Sequence, residues 1–543
     1  MPAGGGVFFC RLLQLDAICE TAASIIGRMT SHSFSRLFAC AVAALVALTA
    51  CGGGGGNPSA GGSTPLASDP GTPTVPTTPT PPTDTPDPIP ADYMSYQNLC
   101  AAPRTGADAE GVPFPDRQGT LQDELKFLRG WTDATYLWYK EVPATVHMAD
   151  YTNALDYFGA LKTPALTASG QLKDRFHFTY TTAEWDALSN ASQDTGYGLT
   201  WSVNSTTAPR TWLAAIVEPG SPAATAGIQR GDLLAAVDGI DFINTTDKDQ
   251  VAKLNAGLSP DTAGEHHTLT IRRGSNTIDV ALTSAVVTTT PVKNVKVIDT
   301  PTGKVGYLSF EDHNAVSEGQ LVDAFTTLKN QGATDLVLDM RYNGGGLLYI
   351  ASELAYMVAG PVSAGKTFER AIYNDKTAPD APIPFRNTAY GFSAPAGRAL
   401  PYLGLRRVTV LTTSDTCSAS EAVINGLRGV DVQVDLIGGT TCGKPYGFIP
   451  TDNCGTTYFT IQFQGVNAKG FGDFADGFAP TCTVSDDMAH ALGDPAEGML
   501  AAALSYHATN ACPATSTARA HAVPMHLARS QMKEIAIYPP RTR

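Results

Sequence analysis

Two residues in the second half of the chain have the types and the setting for nucleophilic catalysis. Ser418 lies in Ser414-Asp-Thr-Cys-Ser-Ala-Ser-Glu421, where the apolar run Val408–Thr412 gives way to a helical pattern. A helix N-terminus offers unpaired N–H groups and the positive end of a dipole, which suits an oxyanion. The N–H of Ala419 is the natural first donor. Gly344 or Gly345, in the triple glycine 344–346, offers a second, because glycine lets a backbone approach closely. Lys444 stands among glycines in Gly438-Gly-Thr-Thr-Cys-Gly-Lys444. A lysine serves as a general base only if desolvation removes its proton near neutral pH, a bias of roughly 4 kcal/mol. Pro445, Tyr446 and Phe448 offer such a dry setting. No histidine sits in a competing motif: His177 is among aromatics, His266 and His267 precede a strand, and His313 follows one. In isolation the pair reads better as a capping serine and a surface lysine.

The elements that must position these residues give the pair its context. Three buried-type strands, Asp335–Met340, Val408–Thr412 and Val432–Ile437, each run into a polar, Gly-rich loop. In α/β folds, sites gather at the carboxyl ends of strands. Val305, Tyr307 and Ser309 alternate along a further strand, and Leu321, Phe325 and Leu328 form one helix face. Tyr458–Phe463 reads as a strand and Leu500–Tyr506 as a closing helix. Residues 287–510 thus form an α/β core, and 511–543 a tail without pattern.

Upstream, residues 96–190 read as a helical region, with Leu121, Leu125 and Leu128 at helical spacing before Trp131, Leu137 and Trp138. Residues 191–286 are mainly β. They contain Glu218-Pro-Gly-Ser-Pro-Ala-Ala-Thr-Ala-Gly-Ile-Gln-Arg-Gly-Asp, in which Ser221 caps a short helix begun by Pro222 and ended by Gly227. This stretch resembles the PDZ domain. The resemblance makes Gly196-Tyr197-Gly198-Leu199 a carboxylate-binding loop, beside which a peptide would add as a strand.

The N-terminal segment points to export. Arg36, the apolar run 37–47 and Leu48-Thr-Ala-Cys51 have the layout of a secretory signal, too short for a membrane span. The last four residues resemble a bacterial lipobox, which implies lipid attachment at Cys51 and a cell-envelope protein, outer-membrane-anchored because Gly52 follows. Met29 is placed as the start, so 1–28 read as a start-site extension, 29–50 as the signal and 51–95 as a Gly/Pro/Thr-rich tether. Six of the ten cysteines follow Cys51, an even number that suggests disulfides in an exported chain. Cys442–Cys454 is the simplest expected pair. No spacing suits a metal, and no cofactor is expected. The net charge of −14 and the lack of a basic stretch argue against nucleic acid as a partner.

The ordered set of a PDZ module, Asp339-Met-Arg-Tyr-Asn-Gly-Gly-Gly346, Cys417-Ser-Ala-Ser-Glu-Ala422 and Thr440-Thr-Cys-Gly-Lys444 resembles the C-terminal processing peptidases, or tail-specific proteases. The resemblance covers roughly residues 118–505. It implies a crotonase-like, ClpP-like α/β core and a Ser–Lys dyad of Ser418 and Lys444. It places the oxyanion hole at Ala419 and a glycine of 344–346, with Glu421 as a supporting acid. The PDZ domain would recognise or gate substrate C-termini. Asp174-Arg175-Phe176 resembles a motif that precedes the PDZ module in this family. In better-known bacterial members a glutamine follows the lysine by four residues, where this chain has Phe448. The contrasting reading is a non-catalytic, peptide-binding lipoprotein scaffold, against which an intact dyad argues.

Overall fold

The computed structural model describes residues 86–108, 111–183, 185, 193–513 and 525–528. The signal, Cys51, most of the tether and most of the tail lie outside the described residues. No described helix is long and apolar enough to cross a membrane.

The N-terminal region is only partly helical. Helix α1, Leu121–Thr135, starts at a Thr120 capping box and buries Leu125, Phe127, Leu128 and Trp131. The short α2, Ala154–Ala160, packs against it and buries Tyr157 and Phe158. Tyr458, far along the chain, belongs to the same apolar cluster. Residues Phe178–Thr181 form a strand, antiparallel to Thr456–Phe459, which a helical reading of 96–190 does not anticipate. The region is therefore built onto the α/β core and shares a sheet with it.

The PDZ region is a β-sheet with one packed helix. Its strands are β1 (Leu199–Val203), β2 (Trp212–Val217), β3 (Leu233–Val237), β4 (His266–Arg273) and β5 (Asn276–Thr283), in spatial order β5-β4-β3-β2-β1. Helix α3, Lys248–Leu258, turns Val251, Leu254 and Leu258 into that core. The expected short helix is present at Pro222–Thr225, capped by Ser221.

The core is a mixed, mainly parallel sheet. Strands β6 (Val292–Thr300) and β7 (Gly303–Phe310) pair antiparallel. After α4 (Ser317–Asn330), β8 (Asp335–Asp339) joins β7 in parallel. Helix α5 (Leu348–Ala359) and strand β9 (Thr367–Tyr373) follow. Strand β10 (Arg407–Thr412), helix α6 (Ala419–Gly429) and strand β11 (Gln433–Gly438) come next. The sheet order is β6-β7-β8-β10-β11, so β8, β10 and β11 are parallel neighbours. Every residue of β8 is buried, as a strand covered on both faces requires. The stretch expected as one strand from Tyr458 divides at Thr460–Gln462, and β12 (Phe463–Val466) turns away to pair with β9. Strand β13, Cys482–Thr483, closes the main sheet beside β11, and α7, Gly498–Thr509, packs on β10 and β11.

The last described segment is β14, His526–Ala528. It adds antiparallel to β1, with His526 opposite Val203 and Ala528 opposite Trp201.

The cysteines pair as Cys100–Cys454, Cys417–Cys442 and Cys482–Cys512. The expected Cys442–Cys454 pair is thus incorrect. Cys454 sits at the turn of the hairpin 451–459, which faces the N-terminal region. Cys442 instead faces the loop before α6, with its Cα 5.2 Å from that of Cys417. Closeness in sequence misled because the two elements bring different partners within reach.

Candidate active site

Three loops leave the same edge of three adjacent parallel strands, and hydrogen bonds tie them side by side. Loop 340–347 follows β8. Its Met340 carbonyl accepts from Thr416 Oγ1 at 2.9 Å, and its Asn343 carbonyl accepts from Cys417 N and Ser420 Oγ, each at 3.0 Å. Loop 413–418 follows β10 and is joined to the loop after β11 by Cys442 N donating to the Thr416 carbonyl at 3.0 Å. The Cys417–Cys442 disulfide connects the same two loops covalently.

Ser418 ends its loop one residue before α6. Its backbone has φ 55°, a left-handed geometry that costs a non-glycine residue of order 1–3 kcal/mol and holds the side chain at the head of the helix. Its N–H donates to Glu421 Oε2 at 3.0 Å. Ala419 N is the first amide of α6 and has no partner among the described residues, as a helix start dictates.

Of the two candidate glycines in the loop, one has a free amide among the described residues. Gly345 N donates to Asn343 Oδ1 at 2.9 Å, and the Gly345 carbonyl accepts from His313 N. Its amide is therefore already spent inside the loop, and Gly345 is not an oxyanion donor. Gly344 N keeps no such bond among the described residues. It adjoins the Asn343 carbonyl that is clamped to Cys417 and Ser420. His313 is structural. It is fully buried, its Nδ1 lies 3.0 Å from Asn343 Oδ1, and burial pushes its pKa down to about 4, which keeps the ring neutral. Asn343 Nδ2 donates to the Phe310 carbonyl, completing a fixed loop.

Lys444 is 2% exposed. Its backbone N–H donates to Glu421 Oε2 at 2.8 Å. Its Nζ lies 3.9 Å from the Phe448 ring centre and 5.1 Å from that of Phe176. The residue standing where a glutamine was expected is thus one wall of an aromatic sleeve around the amine. Phe176 belongs to Asp174-Arg175-Phe176. Arg175 donates to the Cys442 carbonyl, and Asp174 accepts from Tyr136 Oη at 2.7 Å and Phe176 N at 3.1 Å. The sequence identified this motif without assigning it a role. It braces the lysine loop from the N-terminal region.

Glu421 is the hub. Its buried carboxylate accepts from Ser418 N, Lys444 N, Gly443 N at 2.8 Å and Thr441 Oγ1 at 2.6 Å. Burial raises its pKa, and these four donors oppose the rise.

Ser418 and Lys444 line one small cleft, together with Leu348, Ala422 and Phe474. Glu369 of β9 lines it too. Sequence reasoning missed Glu369, because Thr-Phe-Glu-Arg-Ala carries no motif and only the pairing of β9 with β12 brings it to the cleft. Desolvation raises its pKa to about 8.

In the PDZ region, the Tyr197 side chain is buried and donates from Oη to the Gly257 carbonyl at 3.0 Å, which anchors the loop in the core. Gly196 pairs with Ala285. Gly198 has φ 71° and packs against Ser221, where a Cβ would lie 2.3 Å from the serine Cβ. Leu199 opens β1 and packs on the PDZ core. Arg230 crosses to the peptidase core. It donates to Tyr342 Oη and to Asp486 Oδ1, both at 2.7 Å, and Tyr342 directly precedes Asn343. Beneath lies Arg341, 1% exposed, paired with Asp339, Asp486 and Glu497.

Comparison with known proteins agrees with this arrangement. Residues 304–452 match peptidase family S41, and residues 215–273 match the PDZ domain. The carboxyl-terminal-processing protease of Picosynechococcus is 27% identical over 263 residues, covering 47% of this chain and 56% of that protein. The chloroplastic C-terminal processing peptidase of Tetradesmus obliquus is 34% identical over 149 residues, covering 26% of this chain and 32% of that protein. The chain spans about half the length of the first curated relatives it matches. A solved S41 protease structure from Bacteroides fragilis aligns with a TM-score of 0.56 at 25% identity, over 71% of this chain and 97% of that one. The family resemblance and the α/β-plus-PDZ architecture read from the motifs are borne out.

The raised pKa of Glu369 has a measurable sign. The folded state holds the proton up to about pH 8, whereas the unfolded chain releases it near 4.5. Folding is therefore least penalised below pH 4.5 and progressively penalised as pH rises to about 8. Glu369→Gln removes that penalty. Its melting temperature relative to wild type is expected to climb between pH 5 and pH 8, equivalent to at most ~5 kcal/mol. A difference that does not vary with pH contradicts the burial of an unpaired carboxyl.

Proposed function

We propose that this chain, which carries an S41 peptidase domain and a PDZ domain, is a serine endopeptidase for exported proteins or peptides. The single observation that carries the reading is the cleft shared by Ser418 and Lys444, whose loops one buried carboxylate ties together. Lys444, buried beside Ser418 in the same cleft, is the amine that acts as base in this reading. Ser418 Oγ attacks the scissile carbonyl while Lys444 Nζ takes its proton. The oxyanion is met by the N–H groups of Ala419 and Gly344. The tetrahedral intermediate collapses to an ester at Ser418, and the leaving amine takes the proton from Lys444. Water, deprotonated by Lys444, then hydrolyses the ester. Residues 29–51 support export and attachment of the protein to the cell envelope through Cys51.

The PDZ groove is read as the recognition and gating element for substrate C-termini. The strand β14 on β1 supports this, because it is an extended segment added to the sheet edge where a peptide would bind. From His526 to Ala528 it runs toward the Gly196–Leu199 loop, the direction of a peptide whose end is held there. Leu527 N also donates to the Asp415 carboxylate, three residues before the nucleophile. The chain's own segment thus competes with substrate tails and touches the catalytic loop.

Ser418→Ala is expected to reduce peptide hydrolysis to background, and Lys444→Ala to lower kcat/KM by about 10²–10⁴-fold. Lys444→Ala activity within threefold of wild type contradicts the base assignment. Truncation after Pro513, which keeps the Cys482–Cys512 bridge, is expected to raise the affinity of the PDZ groove for a tail peptide at least fivefold in a fluorescence binding titration. Unchanged affinity contradicts competition by β14.

A further inference from the structure

Strand β14 is held from two sides. On one side it pairs with β1, with His526 opposite Val203, Leu527 opposite Ser202 and Ala528 opposite Trp201. In an antiparallel pair only alternate residues turn their N–H toward the neighbouring strand. Leu527 turns its N–H the other way. It donates to the Asp415 carboxylate, at 3.3 Å to Oδ1 and 3.2 Å to Oδ2. His526 Nδ1 lies 3.4 Å from Ser414 Oγ on the same side. Ser414 and Asp415 belong to the loop that follows β10 and ends at Ser418. The edge of β14 that faces away from β1 is therefore met by the peptidase core.

The loop presents Asp415 from a braced turn. Its N–H donates to Thr413 Oγ1 at 3.1 Å, and Thr413 Oγ1 donates to the Arg341 carbonyl. Thr416 Oγ1 accepts from Thr413 N and donates to the Met340 carbonyl. The group that Asp415 takes is a main-chain amide, which every residue except proline possesses. The contact thus accepts any side chain but requires that N–H. The next residue, Ala528, packs on the PDZ core. Counted on by the same register, a third residue beyond Leu527 stands opposite Leu199, which closes the loop read as the carboxylate holder. A free peptide seated as β14 is, with its carboxylate at that loop, offers Asp415 the amide of the residue three before its last.

We propose that Asp415 is the second wall of the peptide groove. It binds the backbone N–H of the residue three before the C-terminus of an extended substrate tail, and it rejects tails with proline there. This rests on the reading of the PDZ groove as a site for peptide C-termini. A tail so bound bridges the PDZ sheet and the loop of Ser418, and a hydrogen bond to a charged acceptor is among the stronger kinds.

The test is a double-mutant cycle between Asp415→Ala and one methyl group on the peptide backbone. The host is the full chain carrying Ser418→Ala, which prevents turnover, and Ala528→Pro, which removes an N–H that β14 turns to β1 and so clears the groove. The probe is the fluorescein-labelled peptide Met525-His-Leu-Ala-Arg-Ser530 with a free carboxylate, compared with the same peptide N-methylated at its leucine. The host is expected to bind the unmethylated peptide at least tenfold more tightly, and the added Asp415→Ala change to bring the ratio within threefold of unity. A general loosening of the loop weakens both peptides alike and leaves the ratio as it was. A ratio near unity in the host, or the same ratio in both proteins, overturns the Asp415 contact while leaving the groove reading intact. Binding of neither peptide to either protein overturns the groove reading and the proposal with it.

Discussion

The site depends on one buried carboxylate. Glu421 sits in the first turn of the helix that Ser418 precedes, and it accepts hydrogen bonds from that serine's amide and from Thr441, Gly443 and Lys444. An acid taken out of water is tolerable only when its lone pairs are filled, and here the donors come from two separate loops. The energy that makes the carboxylate tolerable is therefore the same energy that holds the serine loop against the lysine loop. The Cys417–Cys442 bridge reinforces this junction covalently. Lys444 is fixed at its backbone by the carboxylate and at its side chain by Phe176 and Phe448. Positioning that a polar side chain could supply is met here by aromatic faces and a cross-linked backbone.

The junction is also connected outward. Arg175 joins the N-terminal region to Cys442, and Arg230 joins the PDZ region to Tyr342, within the loop that carries Gly344. Arg341 and its three acidic partners form a rigid buried base beneath that loop. A displacement of the PDZ region that moved Arg230 would have to break charge-assisted bonds to Tyr342 and Asp486, so the two regions are mechanically coupled at the glycine loop.

Much of this was legible in the sequence. The three core strands announce themselves as apolar runs ending in polar loops, and Ser221, Pro222 and Gly227 mark the short PDZ helix by cap chemistry alone. What stayed hidden was set by long-range packing. Cys454 pairs with Cys100 because a hairpin folds back on the N-terminal region, a contact with no local signal. Gly345 looked like a donor from its type, but Asn343 two residues earlier consumes its amide. Glu369 carries no motif, and sheet pairing alone brings it to the cleft; Phe176 lies in a recognisable motif, but its place beside Lys444 is set by the docking of the N-terminal region.

The central claim is that Ser418 is a nucleophile activated by Lys444. Its most direct measurement is the site and rate of covalent labelling by a serine-directed fluorophosphonate, read by intact mass and peptide mapping. One adduct per chain at Ser418, formed far more slowly in Lys444→Met, is the predicted result. An adduct mapped to another residue, or labelling of equal rate in Lys444→Met, would contradict it.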